Sequence, residues 1–79
     1  MTTTFLFFGM IAEATKIDRF ECSDPFVTVR DAEQFILKTY PAISNMNYRL
    51  ALNEMMTSLD TNLTLENNRI AFLPPFAGG

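Results

Sequence analysis

One segment of this chain carries a helical hydrophobic period, and strand-like sequence flanks it on both sides. A lone amphipathic helix must cover its apolar stripe, and in 79 residues the only partner of sufficient area is a sheet. The segment starts at Thr28, whose hydroxyl can cap the N–H of Asp31, an acidic residue that also suits the positive end of the helix dipole. Val27 and Ala32 stand where a hydrophobic staple would close. Val29, Ala32, Phe35, Ile36 and Thr39-Tyr40 recur at helical spacing, while Arg30, Glu33, Gln34 and Lys38 take the other side. Pro41 ends the helix because the residue before a proline is pushed out of the α region.

The flanks read as strands. Thr3 to Ile11 is continuously apolar over strand length, as expected for a strand covered on both faces. Lys16 to Cys22 alternates and is expected to pair with it, until Ser23-Asp24-Pro25 breaks the ladder. After a polar stretch at Ser44, Asn45 and Asn47, Tyr48 to Leu52 reads as a strand turned by Asn53-Glu54. Met55, Met56 and Leu59 follow, Asp60 to Thr64 is a loop, and Asn67-Asn68 is a turn before a last strand from Arg69 to Leu73. This order predicts one α+β domain over residues 1–79, a mixed sheet of four to five strands with one main helix across it. The first and last strands suit parallel central places.

Composition narrows the function. Hydrophobic residues make up 48% and charged residues 19%, which excludes a disordered tail. With no His and one Cys, the chain offers neither a zinc site nor a Ser-His or Cys-His pair. Six basic residues are scattered among nine acidic ones for a net charge of −3, so nucleic acid is a poor partner and a basic protein a better one. The longest apolar run, Phe5 to Ala12, is too short to span a bilayer and lacks the flanks of a secretory signal. A soluble, cytoplasmic protein with a reduced thiol is expected, with no membrane, no nucleic acid and no metal.

The sequence ends Phe72-Leu73-Pro74-Pro75-Phe76-Ala77-Gly78-Gly79. Two prolines give a stiff, extended exit from the last strand, and two glycines give a terminus without side chains. Residues 74–79 are expected to form a flexible extended tail, reaching about 20 Å at ~3.3 Å per residue when fully extended. A terminus this thin can enter a channel that any side chain would block, which points to the carboxylate of Gly79 as the reactive group and to Gly78 as the residue that gives access. A bare Gly-Gly can also be a frayed end or a cloning remnant.

The ending resembles that of the molybdopterin synthase sulfur carrier subunits, the small subunits of that enzyme. Leu6-Phe7-Phe8-Gly9 followed by Glu13 is similar to the family's first strand and loop, Thr28-Val29 to its helix start, and Ala51-Leu52-Asn53-Glu54 to its mid-chain strand and turn. Two positions depart from the pattern. Glu66-Asn67-Asn68 replaces an Asp-Gly-Asp turn, where a left-handed Asn67 would stand in for the glycine, and Ala12 replaces an arginine that would contact the activating enzyme. The resemblance implies a β-grasp, ubiquitin-like fold and a carrier that is no enzyme on its own. It implies that an ATP-dependent adenylyltransferase activates Gly79 through a transient AMP ester and that a sulfur donor converts it to a thiocarboxylate. The sulfur then passes to a pterin precursor inside the large catalytic subunit, in a heterotetramer, to build the dithiolene of the molybdenum cofactor. No cofactor stays bound to the fold.

The resemblance further implies that Phe8, Met56 and Leu73 form an apolar patch docking the large subunit, with Pro74, Pro75 and Phe76 leading the tail into it; core packing is the other reading of these residues. Cys22 is a rival sulfur carrier, but no basic residue closer than Arg19 would lower its pKa. Asp18, Glu21 and Asp24 lack the spacing of a metal loop and read as solvated surface. A carrier for thiamine synthesis or tRNA thiolation would share fold and Gly-Gly ending, as would a ubiquitin-like protein modifier.

Overall fold

In the computed structural model, which describes residues 1–23 and 26–76, the apolar opening of the chain splits in two. Thr2–Phe7 form strand β1 and Met10–Thr15 form a short helix, α1, so the strand expected to reach Ile11 stops at Phe7. Gly9, at φ 58° and ψ −134°, turns the backbone out of the strand. Ile11 and Thr15, one helical turn apart, then face inward and are buried. A short apolar run fits either period, and here the glycine decides. The helix closes at Lys16 in the left-handed region, with its N–H donating to the Ala12 carbonyl at 2.8 Å. Strand β2 (Arg19–Cys22) therefore begins three residues later than the alternation suggests, and Ala12 and Glu13 lie on a helix instead of a loop.

Helix α2 (Val29–Thr39) starts as the sequence predicts. Thr28 Oγ1 accepts from the Asp31 N–H at 3.3 Å, while Asp31 Oδ2 accepts from the Thr28 N–H at 3.1 Å, closing a capping box. Val27 makes no buried staple, being 66% exposed; its carbonyl instead accepts from the Leu63 N–H. Val29, Ala32 and Ile36 are buried against the sheet. Pro41 ends the helix and opens a 3-10 turn, Pro41–Asn45, which buries Ile43 where a polar loop was expected.

Strands β3 (Arg49–Leu52), β4 (Met55–Met56) and β5 (Asn67–Leu73) complete a five-stranded sheet in the order β2-β1-β5-β3-β4. β1 and β5 run parallel at its centre, with Phe5 opposite Ile70 and Phe7 opposite Phe72; every other pairing is antiparallel. The face under α2 holds the core. The Phe5 ring lies 6.1–6.5 Å from those of Phe20, Phe26, Phe35 and Phe72, centroid to centroid.

The β3–β4 turn falls on Asn53 and Glu54, both at positive φ (51° and 74°), the geometry of a tight two-residue hairpin. Asn67 and Asn68 are no turn. They open β5 with ordinary φ, so the left-handed Asn67 expected from the sequence does not occur. Asn68 is 1% exposed, donates to the Leu65 carbonyl at 2.8 Å and accepts from Asn53 Nδ2 at 3.3 Å. Asn53 in turn accepts from the Arg69 N–H at 2.8 Å, so two side-chain amides tie the hairpin to the central strand. Asn68→Ala should cost about 1–3 kcal/mol by leaving buried polar groups unpaired. For a domain of this size that lowers Tm by roughly 4 °C or more, measurable by calorimetry, and an unchanged Tm would show that water replaces the amide.

Candidate docking site and tail exit

Strand alternation sends every second residue away from α2, and no element among the described residues covers that side. The register sets Leu6, Ala71, Ala51 and Met56 in one row across β1, β5, β3 and β4. Two alanines at the middle of a row with larger ends leave a hollow, and together with Phe8, Leu73, Glu54 and Arg69 these residues line a groove of about 510 Å³. Phe8 is 45% and Met56 43% exposed, and Leu73 is half-buried. The structure thus brings together the three residues singled out from the sequence and places them at the surface instead of in the core. Leu6, Ala51 and Ala71 make the floor of the groove and were missed. Leu6 and Ala71 share the parity of Phe8 and Leu73 two residues on, whereas Ala51 joins the groove only through the register of β3 with β4 and β5.

The rim is mixed in charge. Arg69 Nη2 donates to Glu54 Oε1 at 3.1 Å, and Arg19 and Glu21 pair at 3.8 Å on the same face, where Arg49 also lies, opposite Leu73. Three arginines against two glutamates mean that the acidic excess of the chain lies elsewhere. The net charge of −3 therefore gives no reason for this groove to prefer a basic partner, contrary to the expectation from composition.

Leu73 is the last residue of β5 and also a wall of the groove, so the chain leaves the sheet at the groove itself. Pro74 is half-buried and Pro75 and Phe76 are exposed, Phe76 at 82%. These three border a second, apolar hollow of about 470 Å³ with Gly9, Met10, Ile11, Met46 and the flanking Asn45 and Asn47. Gly78 and Gly79, the residues expected to carry the chemistry, lie outside the described residues, as does Asp24.

The other conspicuous side chains are structural or solvated. Cys22 is half-buried against the core on β2. Asp18 and Glu21 are exposed, and no group of three acidic, Cys or His side chains suited to a metal occurs among the described residues. Tyr48 Oη donates to Glu33 Oε2 at 2.7 Å, and its ring lies 5.0 Å from that of Phe72. Burial first, then the bond to Glu33 and its charge, push the phenol well above its usual range, so the pair fastens the approach to β3 onto α2 and moves no proton at neutral pH. No helix among the described residues is long and apolar enough to cross a membrane.

A mixed five-stranded sheet with its first and last strands parallel at the centre and one main helix across it is the β-grasp, ubiquitin-like fold. Its apolar sheet face, uncovered among the described residues, meets the end of β5, the arrangement of a small ubiquitin-like domain. The ThiS family profile matches residues 5–79, and the chain belongs to the ThiS family, within the ubiquitin-like sulfur carriers. Among solved structures it is similar to SAMP1 from Haloferax volcanii, with a TM-score of 0.82 at 20% identity over 100% of both chains. It is also similar to a Pyrococcus furiosus protein described as subunit 1 of molybdopterin converting factor, with a TM-score of 0.85 at 19% identity over 95% of this chain and 98% of that one. At such identities the likeness speaks for the fold. A third similar structure, at 26% identity and a TM-score of 0.70 over 100% of both chains, is a complex of subunits 1 and 2 of the molybdopterin-converting factor from Helicobacter pylori. No curated protein sequence matches significantly.

Proposed function

We propose that this chain is the sulfur carrier subunit of a molybdopterin synthase. The observation that carries the reading is the continuity between the open groove and the tail: Leu73 walls the first and begins the second, so a partner seated on Phe8, Met56 and Leu73 receives Pro74 onward directly. The ending Phe72-Leu73-Pro74-Pro75-Phe76-Ala77-Gly78-Gly79 supports it, as does the Helicobacter pylori complex of the two subunits. The partner is the large catalytic subunit, in a heterotetramer, and the setting is cytoplasmic.

In this reading the carrier contributes a handle and a terminus, and its partners contribute the catalysis. The Gly79 carboxylate oxygen attacks the α-phosphorus of ATP on an adenylyltransferase, and pyrophosphate leaves. The resulting acyl-adenylate is an electrophile that a carboxylate is not, because AMP is a good leaving group. A sulfide-level sulfur nucleophile from a donor attacks the acyl carbon, the bond to AMP breaks, and a thiocarboxylate remains, a soft nucleophile that is ionised at neutral pH. In this reading the partners supply the general acids and bases for these steps, and none is required of the carrier. The groove holds the carrier while the tail presents its sulfur, which converts an encounter in solution into a positioned one.

The test is reconstitution. The thiocarboxylated protein mixed with a molybdopterin synthase large subunit and the pterin precursor should form a complex and yield the dithiolene product. Complex formation with thiamine-pathway or tRNA-thiolation enzymes instead, or isopeptide attachment to other proteins, would assign the chain to a different branch of the same fold.

A further inference from the structure

We infer that Gly9 is a positioning residue that aims the tail, an inference that rests on the sulfur-carrier reading above. Gly9 sits in the corner between β1 and α1 at φ 58° and ψ −134°, where a side chain is strained. A Cβ built there would lie 3.1 Å from Cγ of Pro74, inside ordinary van der Waals contact. The glycine is therefore needed twice, for its backbone and for the room it leaves to the first residue of the tail.

The corner is clamped. The Phe8 N–H donates to the Phe72 carbonyl at 3.2 Å, the Ile11 N–H to the Phe8 carbonyl at 3.2 Å, and the Glu13 N–H to the Gly9 carbonyl at 3.2 Å. Those bonds hold the corner in place, so a side chain at position 9 displaces Pro74 by a few tenths of an ångström. Pro74 is a rigid ring directly before the turn at Pro75 and Phe76, so a shift of the ring carries that turn with it. Misplacement of about 1 Å at a reacting centre already slows a positioned reaction substantially. The groove on the sheet face and the direction of the tail are thus separately encoded, the first by β1, β3, β4 and β5 and the second by the contact between Gly9 and Pro74.

Two readouts test this on the intact protein. Residual dipolar couplings of the Phe76 amide report the tail direction in the free carrier, independent of any activity. Single-turnover sulfur transfer at saturating large subunit reports its consequence. Gly9→Ala should change the Phe76 couplings while those of β1 and β5 hold, keep the Kd for the large subunit within twofold, and slow transfer at least tenfold. In a Pro74→Ala background, where the ring is gone, adding Gly9→Ala should cost less than twofold. Should Gly9→Ala not fold, Pro74→Ala alone should at least halve the Phe76 coupling, because the ring no longer rests on the corner. Unchanged couplings, normal transfer by folded Gly9→Ala, or a loss that persists undiminished with Ala at position 74 would each overturn the inference. If the unmutated chain transfers no sulfur to any partner, the carrier reading fails, and the couplings still decide whether Gly9 aims the tail.

Discussion

Deleting Gly79 should abolish sulfur transfer and leave the domain folded, with Tm within 2 °C of the intact chain, roughly 0.5 kcal/mol or less for a domain this size. The core is complete before the tail begins: Phe5, Phe7, Ile36, Ile43, Ile70 and Phe72 are each at most 1% exposed, and β5 ends at Leu73. Removing the last residue moves the terminal carboxylate back to Gly78 and shortens the reach by about 3.3 Å, which no rearrangement of the body restores. Gly78→Val probes the thinness of the terminus without shortening it. Valine reaches extended backbone readily, so the conflict is one of width in the channels of the activating enzyme and the synthase. A fall of at least tenfold in adenylation or transfer, about 1.4 kcal/mol in the transition state, is expected. Normal transfer by Gly78→Val would show that the channel argument is wrong.

Met56→Glu should weaken binding to the large subunit by about 2–4 kcal/mol, the range of an apolar anchor replaced by a charge. Met56 stands at one end of the row that crosses the groove, opposite Ala51, so a carboxylate there would be desolvated wherever the partner seats. Because the side chain is 43% exposed in the free chain, the isolated carrier should lose little stability. Met55 supplies the control. It pairs with Leu52 instead of Ala51, so its side chain leaves the other side of β4, and it is 73% exposed, beside a shallow hollow that Met56 also borders. Met55→Glu should therefore leave binding within about 0.5 kcal/mol of normal, as surface changes away from a site do. Titration calorimetry distinguishes the two, and equal losses would place the partner on the edge of the sheet instead of its face.

The parts of the fold that could be read in advance were those in which one residue type has one physical meaning. Thr28 and Asp31 close a capping box, Pro41 ends α2, and Asn53-Glu54 turns a hairpin at positive φ, each for a local reason. The misreadings fall where local signals are degenerate. The Phe-rich opening gave no period, so α1 was hidden until Gly9 was seen to break the strand. Asn67-Asn68 looked like a turn because asparagine favours turns, but the Asn68 amide is spent on Leu65 and Asn53 inside the sheet. That pairing joins residues 15 apart, which no window of sequence displays. The groove was half legible: its large residues drew attention, whereas Ala51 and Ala71 matter by being small, a property that acquires meaning only once the register places them side by side. Gly9 is the same case, since its importance lies in the ring of Pro74, 65 positions away.

The central claim is that Gly79 carries the sulfur, and intact mass tests it most directly. Incubation with ATP, an activating enzyme and a sulfur source should raise the mass by about 16 Da, as one carboxylate oxygen is exchanged for sulfur, a change that needs the adenylated terminus and not the thiol of a cysteine. Fragmentation should place the increment on the final residue, and Cys22→Ser should acquire it at the normal rate. An added sulfur that maps to Cys22, or a +16 Da species lost in Cys22→Ser, would contradict the account.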